Sequence, residues 1–576
     1  MPFDWGRPLR SKGILLENVR CLFLASAVLF LACADGCAAA PLTPAAAGLA
    51  ADELTLSDGA VDGNRLKSQS HCFIAADVKK AVVLFEVGAP GSHGRASFPT
   101  FIAAASSCTA ILAMAPAANG TGLRVDFGTD DWNAFNAMAQ KPVAVDFGKA
   151  RIMLATPGDI FNTVRTVTVR NTSWTGSGAY IALGESGAAS DSGNQIAFMA
   201  QNFHLDGTIT FDGQYASYGK DQYNMKALAS ASIRGMTIGP GITVTGTKGA
   251  CYFSTDNMDE RVAGLFEHCG DFWHLVAAPA DPQSGRPFGV WQQNVHGHLD
   301  DRGLRARFAA QSGLFIQSGD PKATVTMAGS RIENSGFFNY DLETWAGTEN
   351  IDQITSIQDP AAKRDYSHPY GGVNISNTSR VTFDLVDIAG SNGNDFVLNP
   401  QNGDKYRMES LIGGTIHAVS GPNSNDASKV YLAQIGDHTQ KVAIEKIVAD
   451  VLTVYPSGAS GKDGAAAGSN GIWIGEFSSP GKYSAGPNLV FTNYSGGSNL
   501  VSIRSGQAAT IAMNSAAGPV LLDLGPDFHF KTVRHTGNKG AYLGDVERDG
   551  GCQASKPEAC RLSLARWRAA AHQVPN

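Results

Sequence analysis

The sequence predicts an all-β protein built as a parallel β-solenoid, and three observations predict it. From Val143 onward, runs of three to six β-forming residues follow one another, separated by Gly, Asn and Asp and without intervening helices, which argues against a βαβ fold. Several of these strand-and-turn units look alike, which favours stacked coils over a sandwich. A single amphipathic helix precedes them, in the place where a solenoid must cover the open apolar end of its first coil.

That helix lies in Leu123–Pro142. Arg124-Val125-Asp126-Phe127-Gly128 reads as a strand ending at a glycine, and Thr129-Asp130-Asp131 supplies helix-start chemistry. Thr129 is expected to accept from an unpaired amide, with Asp130 and Asp131 as caps at the positive end of the helix dipole. Ala134, Phe135, Ala137 and Met138 give one apolar face, and Pro142 ends the helix. The stretch D-F-G-T-D-D-x-x-A-F-x-x-x-A resembles the N-terminal signature of the pectate-lyase-like superfamily, although the glycine-rich insertion usual between its Gly and Thr-Asp-Asp is missing here. The resemblance implies a right-handed parallel β-helix with an N-terminal capping helix, and a chain that acts on polysaccharide.

The 576 residues exceed one ordinary globular domain, a length that a solenoid uses as one unit. The 65 glycines against 17% charged residues favour turns and short strands over helical bundles. A net charge of -7 and a pI of about 6.0, with no basic block interleaved with aromatics, give no footprint for nucleic acid. Arg7, Arg10, Lys12 and Arg20 precede the apolar run Cys21–Ala34 and a small-residue stretch to Ala40, the order of a secretory signal peptide over 1–40. The run is short for a membrane span, and no later segment is apolar enough for one. The expectation is a secreted or periplasmic protein, with lipid anchoring at Cys33 or Cys37 the lesser alternative.

Six of the nine cysteines lie beyond the signal, and an even number in an exported chain reads as disulfides: Cys72–Cys108, Cys251–Cys269 and Cys552–Cys560 by sequence neighbourhood, among fifteen connectivities. Residues 41–122 read as a flexible lead-in and a small N-terminal subdomain. Residues 123–545 read as the β-helix with loop insertions, and 546–576 as a C-terminal disulfide loop and helix. Turn asparagines Asn334, Asn392, Asn394, Asn423 and Asn425 are expected to stack as a ladder, and Asp395 and Asp426 to cap turns.

Equivalent positions on neighbouring coils form rows about 4.8 Å apart, so carboxylates on such a row suit acid/base chemistry on a glycan, their pKa values pushed apart by proximity. Two segments are the candidates. Val295–Arg302 packs two His, two Asp and an Arg into eight residues, and Tyr340–Trp345 places Asp341 and Glu343 beside Tyr and Trp. The expected acid and base are Asp301 and Asp341, with Asp300 and Glu343 as alternates. Trp345, Tyr366 and Tyr370 are expected to stack on sugar rings, and Arg302 or His368 to position substrate. His296 and His298 share a strand face, but no third ligand is evident, so no metal is assigned.

Polygalacturonase-like members of the superfamily carry N-T-D, D-D, G-H-G and R-x-K elements on successive coils. Here Asn392-Gly393-Asn394-Asp395 matches the first in part, Asp300-Asp301 precedes it, and no R-x-K follows, so that activity is not assigned. The expectation is an exported polysaccharide-degrading enzyme, a glycoside hydrolase using paired carboxylates. The alternatives are a polysaccharide lyase, in which Arg302, Arg305, Arg307 or Ca²⁺ would neutralise a uronate, and a non-catalytic glycan-binding surface protein. No cofactor is expected otherwise, and a homotrimer is an open assembly.

Overall fold

The computed structural model describes residues 40–85, 97–154, 166–183, 194–214, 226–270, 288–344, 347–358, 371–391 and 396–399. Beyond these it describes the strands Ser410–Gly413, Thr415–Val419, Tyr431–Ile435, Leu452–Pro456, Asn470–Glu476, Asn488–Asn493, Asn499–Ser515 and Val520–Thr536. The expected signal peptide, the Cys552–Cys560 bridge, the C-terminal helix and every ladder asparagine except Asn334 lie outside the described residues.

The chain first builds a closed antiparallel barrel from β1 (Leu54–Asp62), β2 (Arg65–Lys67), β3 (Ala81–Phe85), β4 (Ser97–Ser106), β5 (Thr109–Leu112) and β6 (Gly120–Gly128), in the order β1-β2-β5-β4-β3-β6. Leu56, Leu66, Phe73, Val82, Leu84, Ile102, Val125 and Phe127 fill its interior. A disulfide between Cys72 and Cys108 closes one side. β3 is buried along its whole length because it has two apolar neighbours. Val82 and Leu84 point into the barrel, while Ala81, Val83 and Phe85 pack against Met153 and Ala182 of the solenoid. A strand covered on both faces loses apolar alternation, which is why AVVLF reads as a continuous run.

After β6 comes α1 (Trp132–Ala139), which buries Phe135, Met138 and Ala139. The Phe135 ring lies 5.9 Å from Phe147 and 5.6 Å from Trp174 in the first coils. The start of the helix differs from expectation. The Thr129 hydroxyl donates to Asp52 Oδ2 at 3.0 Å rather than capping. Asp131 stands at the cap position, yet its carboxylate accepts from the amides of Ala50 at 2.7 Å and Ala51 at 2.9 Å. Asp130 alone serves the first turn, accepting from the Trp132 amide at 3.1 Å. The pair therefore ties the lead-in to the helix. The lead-in is correspondingly ordered, contrary to the flexible segment expected: the Leu42 amide donates to the Ala144 carbonyl at 2.8 Å, and Leu42 accepts from Asp146 at 3.0 Å.

From Ala144 the chain is a right-handed parallel β-helix, in which each strand pairs in parallel with an equivalent strand one coil later. Arg151–Met153, Ser177–Ala182, Thr208–Asp212, Ile242–Thr247, Leu265–Cys269 and Arg305–Ala309 form one such succession. Its inward row runs Ile152, Ile181, Phe211, Val244, Phe266, Ala306, and all six are buried. Stacking like on like at this spacing gives each coil's apolar face a partner that it lacks alone. Turn residues stack as well. A Cβ on Gly207, at φ +74°, would stand 2.2 Å from the Gly176 carbonyl oxygen, and one on Gly241 would stand 2.1 Å from that of Gly207, so close backbone approach requires glycine at this corner. Cys251 and Cys269, both fully buried, are joined by a disulfide in this core.

Barrel and solenoid are joined by charge as well as by apolar contact. Arg124 of β6 bridges Asp126 of its own strand at 2.6 Å and Asp212 of the solenoid at 2.5 Å. The Tyr180 hydroxyl donates to Asp212 at 2.9 Å, and the Gln214 amide to Asp126 at 2.8 Å. Beside them Arg151 pairs with Glu53 at 2.6 Å, and burial with the nearby Asp126 charge raises the Glu53 carboxyl to about 7.

Candidate functional site

One sheet of the solenoid runs through Ala250–Thr255, the first half of Val290–Asp300, Leu314–Gly319, Tyr340–Glu343, Val373–Ser376 and Phe396–Asn399. Each of these strands alternates. Tyr252, Val290, Leu314, Tyr340, Val373 and Phe396 are buried in register and form an inward row. The next residue of each strand therefore faces outward: Phe253, Trp291, Phe315, Asp341, Asn374, Val397. Two residues further along, Gln293, Gln317, Glu343 and Ser376 form a second outward row.

The first row changes character midway. Phe253, Trp291 and Phe315, with Phe288 beside them, form an aromatic cluster: Phe253 lies 4.5 Å from Trp291, and Phe288 lies 4.6 Å from Phe315. The next coil then places Asp341 in register with Phe315. Although it faces away from the core, Asp341 is only 7% exposed. Asn374 donates its amide to Asp341 Oδ1 at 2.8 Å, and the Ser312 hydroxyl stands 3.4 Å from Oδ2. Burial raises the Asp341 carboxyl to about 7, with the Glu343 charge adding to the rise and Asn374 opposing it. Glu343 is half-buried and accepts from Ser376 at 3.2 Å. Two carboxyls thus lie two residues apart on one strand face, one holding its proton near neutrality, with hydrogen-bond donors supplied by the following coil.

The two predicted segments do not converge. Asp301 is fully buried inside the coil, where it accepts from Gln292 at 3.1 Å. Gln292 shares the inward side of its strand with Ser254 and Ile316. Burial raises the Asp301 carboxyl well above its ordinary range, and the nearby Glu260 adds to this. Glu260 is itself interior and accepts from Tyr252, from Ser254 at 2.9 Å and from Asn257 at 3.3 Å. Asp301 therefore belongs to an internal polar layer and does not share a surface with Asp341. Asp300 faces the other way, at the end of the sheet segment that follows the corner at Val295, and pairs at 3.2 Å with Arg302 of the turn after it. Arg305 reaches the Pro240 carbonyl at 3.4 Å, and Arg307 pairs with Glu267. Trp345, Tyr366, His368 and Tyr370 lie outside the described residues.

His296 stands 3.9 Å from Asp256 and 3.6 Å from Asp320, across successive coils, while His298 is exposed. Among the described residues no group of three or more His, Cys, Asp and Glu is arranged to hold a metal, and no helix is long and apolar enough to cross a membrane. The sequence reading missed Ser312, Asn374 and Ser376. The signal for the last two lay in Val373-Asn-Ile-Ser, which alternates in phase with Tyr340-Asp-Leu-Glu.

No family model and no curated protein matches the chain. Among solved structures it is similar to the tailspike protein gp49 from Pseudomonas phage LKA1, at 10% identity over 85% of this chain and 62% of that one, with a TM-score of 0.20. It is also similar to the Gp54 tailspike of Acinetobacter baumannii bacteriophage AP22, solved with A. baumannii capsular saccharide, at 10% identity over 85% and 64%, TM-score 0.19. A third is the Pseudomonas phage phi297 tailspike gp61, at 10% identity over 83% and 57%, TM-score 0.17. The chain spans about three fifths of the length of these proteins. Likenesses this distant carry nothing about chemistry, and the strand register stands on its own: the chain is a parallel β-helix behind a six-stranded barrel.

Proposed function

We propose that this chain is an exported glycan-degrading hydrolase whose reaction centre is the outward carboxyl pair Asp341 and Glu343. The observation that carries the proposal is a solenoid-face aspartate that keeps its proton to about 7, two residues from a second carboxyl and in register with an aromatic cluster. Two residues of strand rise separate the pair by about 6.6 Å along the backbone, at the lower edge of the roughly 6.5–9.5 Å that leaves room for a water between inverting carboxyls. In this reading Asp341 gives its proton to the glycosidic oxygen as the C–O bond breaks. Glu343, ionised, takes a proton from the water whose oxygen forms the new bond to the anomeric carbon. Asn374 holds Asp341 in place, and the exposed edges of Phe253 and Phe315 offer apolar surface to sugar rings.

The test is a polysaccharide screen that follows new reducing ends and unsaturated-uronate absorbance in parallel. Reducing ends without absorbance, cut by about 10²–10⁴-fold on Asp341→Asn or Glu343→Gln, are the expected result. Absorbance at the uronate wavelength would replace hydrolysis by elimination, and full activity in both variants would remove the pair from the chemistry. Binding without cleavage would support the glycan-binding alternative.

A further inference from the structure

Behind Glu343, on the inner side of the same wall, lies a third carboxyl that the proposed chemistry does not use. Glu349 of Thr348–Asp352 is fully buried, in register with Val325 and Val381 of the coils on either side. The Thr378 hydroxyl stands 3.0 Å from Glu349 Oε1, and the Thr344 hydroxyl donates to Thr378 at 3.0 Å. Glu349 Oε2 is buried and has no partner within 3.5 Å among the described residues, although the nearby Thr344 hydroxyl also favours the charged carboxyl. The two threonines join it to the outer pair: Thr344 directly follows Glu343, and Ser376, two residues before Thr378, donates to Glu343 Oε1. One corner, formed by the ends of Tyr340–Glu343 and Val373–Ser376, thus holds Glu343 on its outside and Glu349 on its inside.

We propose that Glu349 is a positioning residue for the outer carboxyl pair, its proton setting the charge that Glu343 meets across the Ser376–Thr378 turn. The inference rests on the reading of Asp341 and Glu343 as the reaction centre. Glu349 faces two threonine hydroxyls and two valines, and Glu343 is the charged group that acts on it. With no compensating charge beside it among the described residues, burial holds it protonated to about pH 8. While neutral, it leaves Glu343 free to ionise beside Asp341. Once ionised, it places a second negative charge behind Glu343 and strains the turn that holds it.

The coupling is measurable without a substrate. Thermal midpoints of the full chain, of Glu343→Gln, of Glu349→Gln and of the double variant are compared at pH 5 and pH 9. At pH 5 the two shifts should add, since Glu349 carries no charge; at pH 9 they should fail to add, because either substitution already removes the repulsion. Additive shifts at both pH values would overturn the proposal, as would equal non-additivity at both, which marks a merely structural contact. If Glu349→Gln does not fold, an Asp341→Asn background removes the outer partner. There the Glu343→Gln shift should differ between pH 5 and pH 9, and an unchanged shift overturns the proposal. Undiminished glycan cleavage by Asp341→Asn would sink the reading of the reaction centre while leaving the measured coupling intact.

Discussion

Asp301 and Asp341 are both buried aspartates with raised pKa, and what separates them is which side of the coil wall each faces. Asp301 meets Gln292 inside the solenoid, so its proton is a matter of stability. Its folded pKa lies above the unfolded value of about 3.9, so its stabilising contribution is complete below that value and is lost as pH rises toward the folded pKa. Asp301→Asn should therefore leave the thermal midpoint near wild type at pH 4, raise it increasingly at higher pH, and leave glycan cleavage unchanged. Asp341 obeys the same sign rule, but its proton is also the reagent. As pH rises through about 7 the acid form is lost, so the cleavage rate should fall across that interval, and a pH–rate profile checks it. Sequence parity explains why one aspartate was legible and the other was not. Tyr340 and Leu342 are apolar neighbours that fix Asp341 outward, whereas Asp301 follows the end of its strand, where alternation stops and the turn at Arg302-Gly303 redirects the chain.

At the scale of elements, strand-and-turn periodicity is a strong signal because each coil repeats the same inward row, and the β-helix was legible for that reason. The barrel was not. β3 and β6 each face the barrel interior on one side and the solenoid on the other, so their patterns carry no clue to closure, and antiparallel pairing such as β1 with β6 joins residues far apart in sequence. The helix-start motif was misread in part because Thr129 and Asp131 serve Asp52 and the lead-in amides, partners about 80 residues away that local rules do not see. Cysteine neighbourhood succeeded for Cys72–Cys108 and Cys251–Cys269 because both bridges close short excursions of chain, with sequence separations of 36 and 18. Chain-entropy scaling gives a loop the size of the second a worth of about 3 kcal/mol. Replacing Cys251 and Cys269 together by Ala should lower the unfolding midpoint, with the barrel's own bridge intact. An unchanged midpoint would mean that coil stacking alone sets stability there.

At the scale of the whole molecule, the question is what holds the barrel on the solenoid. Among the described residues the apolar contact is modest: Ala81, Val83 and Phe85 meet Met153, Ala182 and Tyr180. The charged junction beside it is asymmetric: Glu53, Asp126 and Asp212 bring three carboxyls to two guanidiniums, Arg124 and Arg151. Arg124 touches both bodies, as does Arg151, which donates to Thr55 of β1 at 2.9 Å, and the Arg124 guanidinium lies 4.2 Å from the centroid of the Phe85 ring. Removing one partner of a buried ion pair costs about 3–5 kcal/mol, because the other is left charged and unpaired. The Arg124 side chain is 38% exposed, so solvent screening brings the cost below that buried range. Arg124→Met should therefore loosen the barrel, seen as faster proteolysis between barrel and solenoid. Adding Asp126→Asn and Asp212→Asn should restore most of the protection, because the neutral amides need no cation. Persistent loosening in the triple variant would show that geometry at the seam, rather than charge, fastens the two bodies. Glu53 adds a pH term of known sign. Raised to about 7, its contribution is present in acid and lost as pH rises through that value. The junction should accordingly be tightest below neutrality, and Glu53→Gln should flatten the pH dependence of proteolysis at the seam.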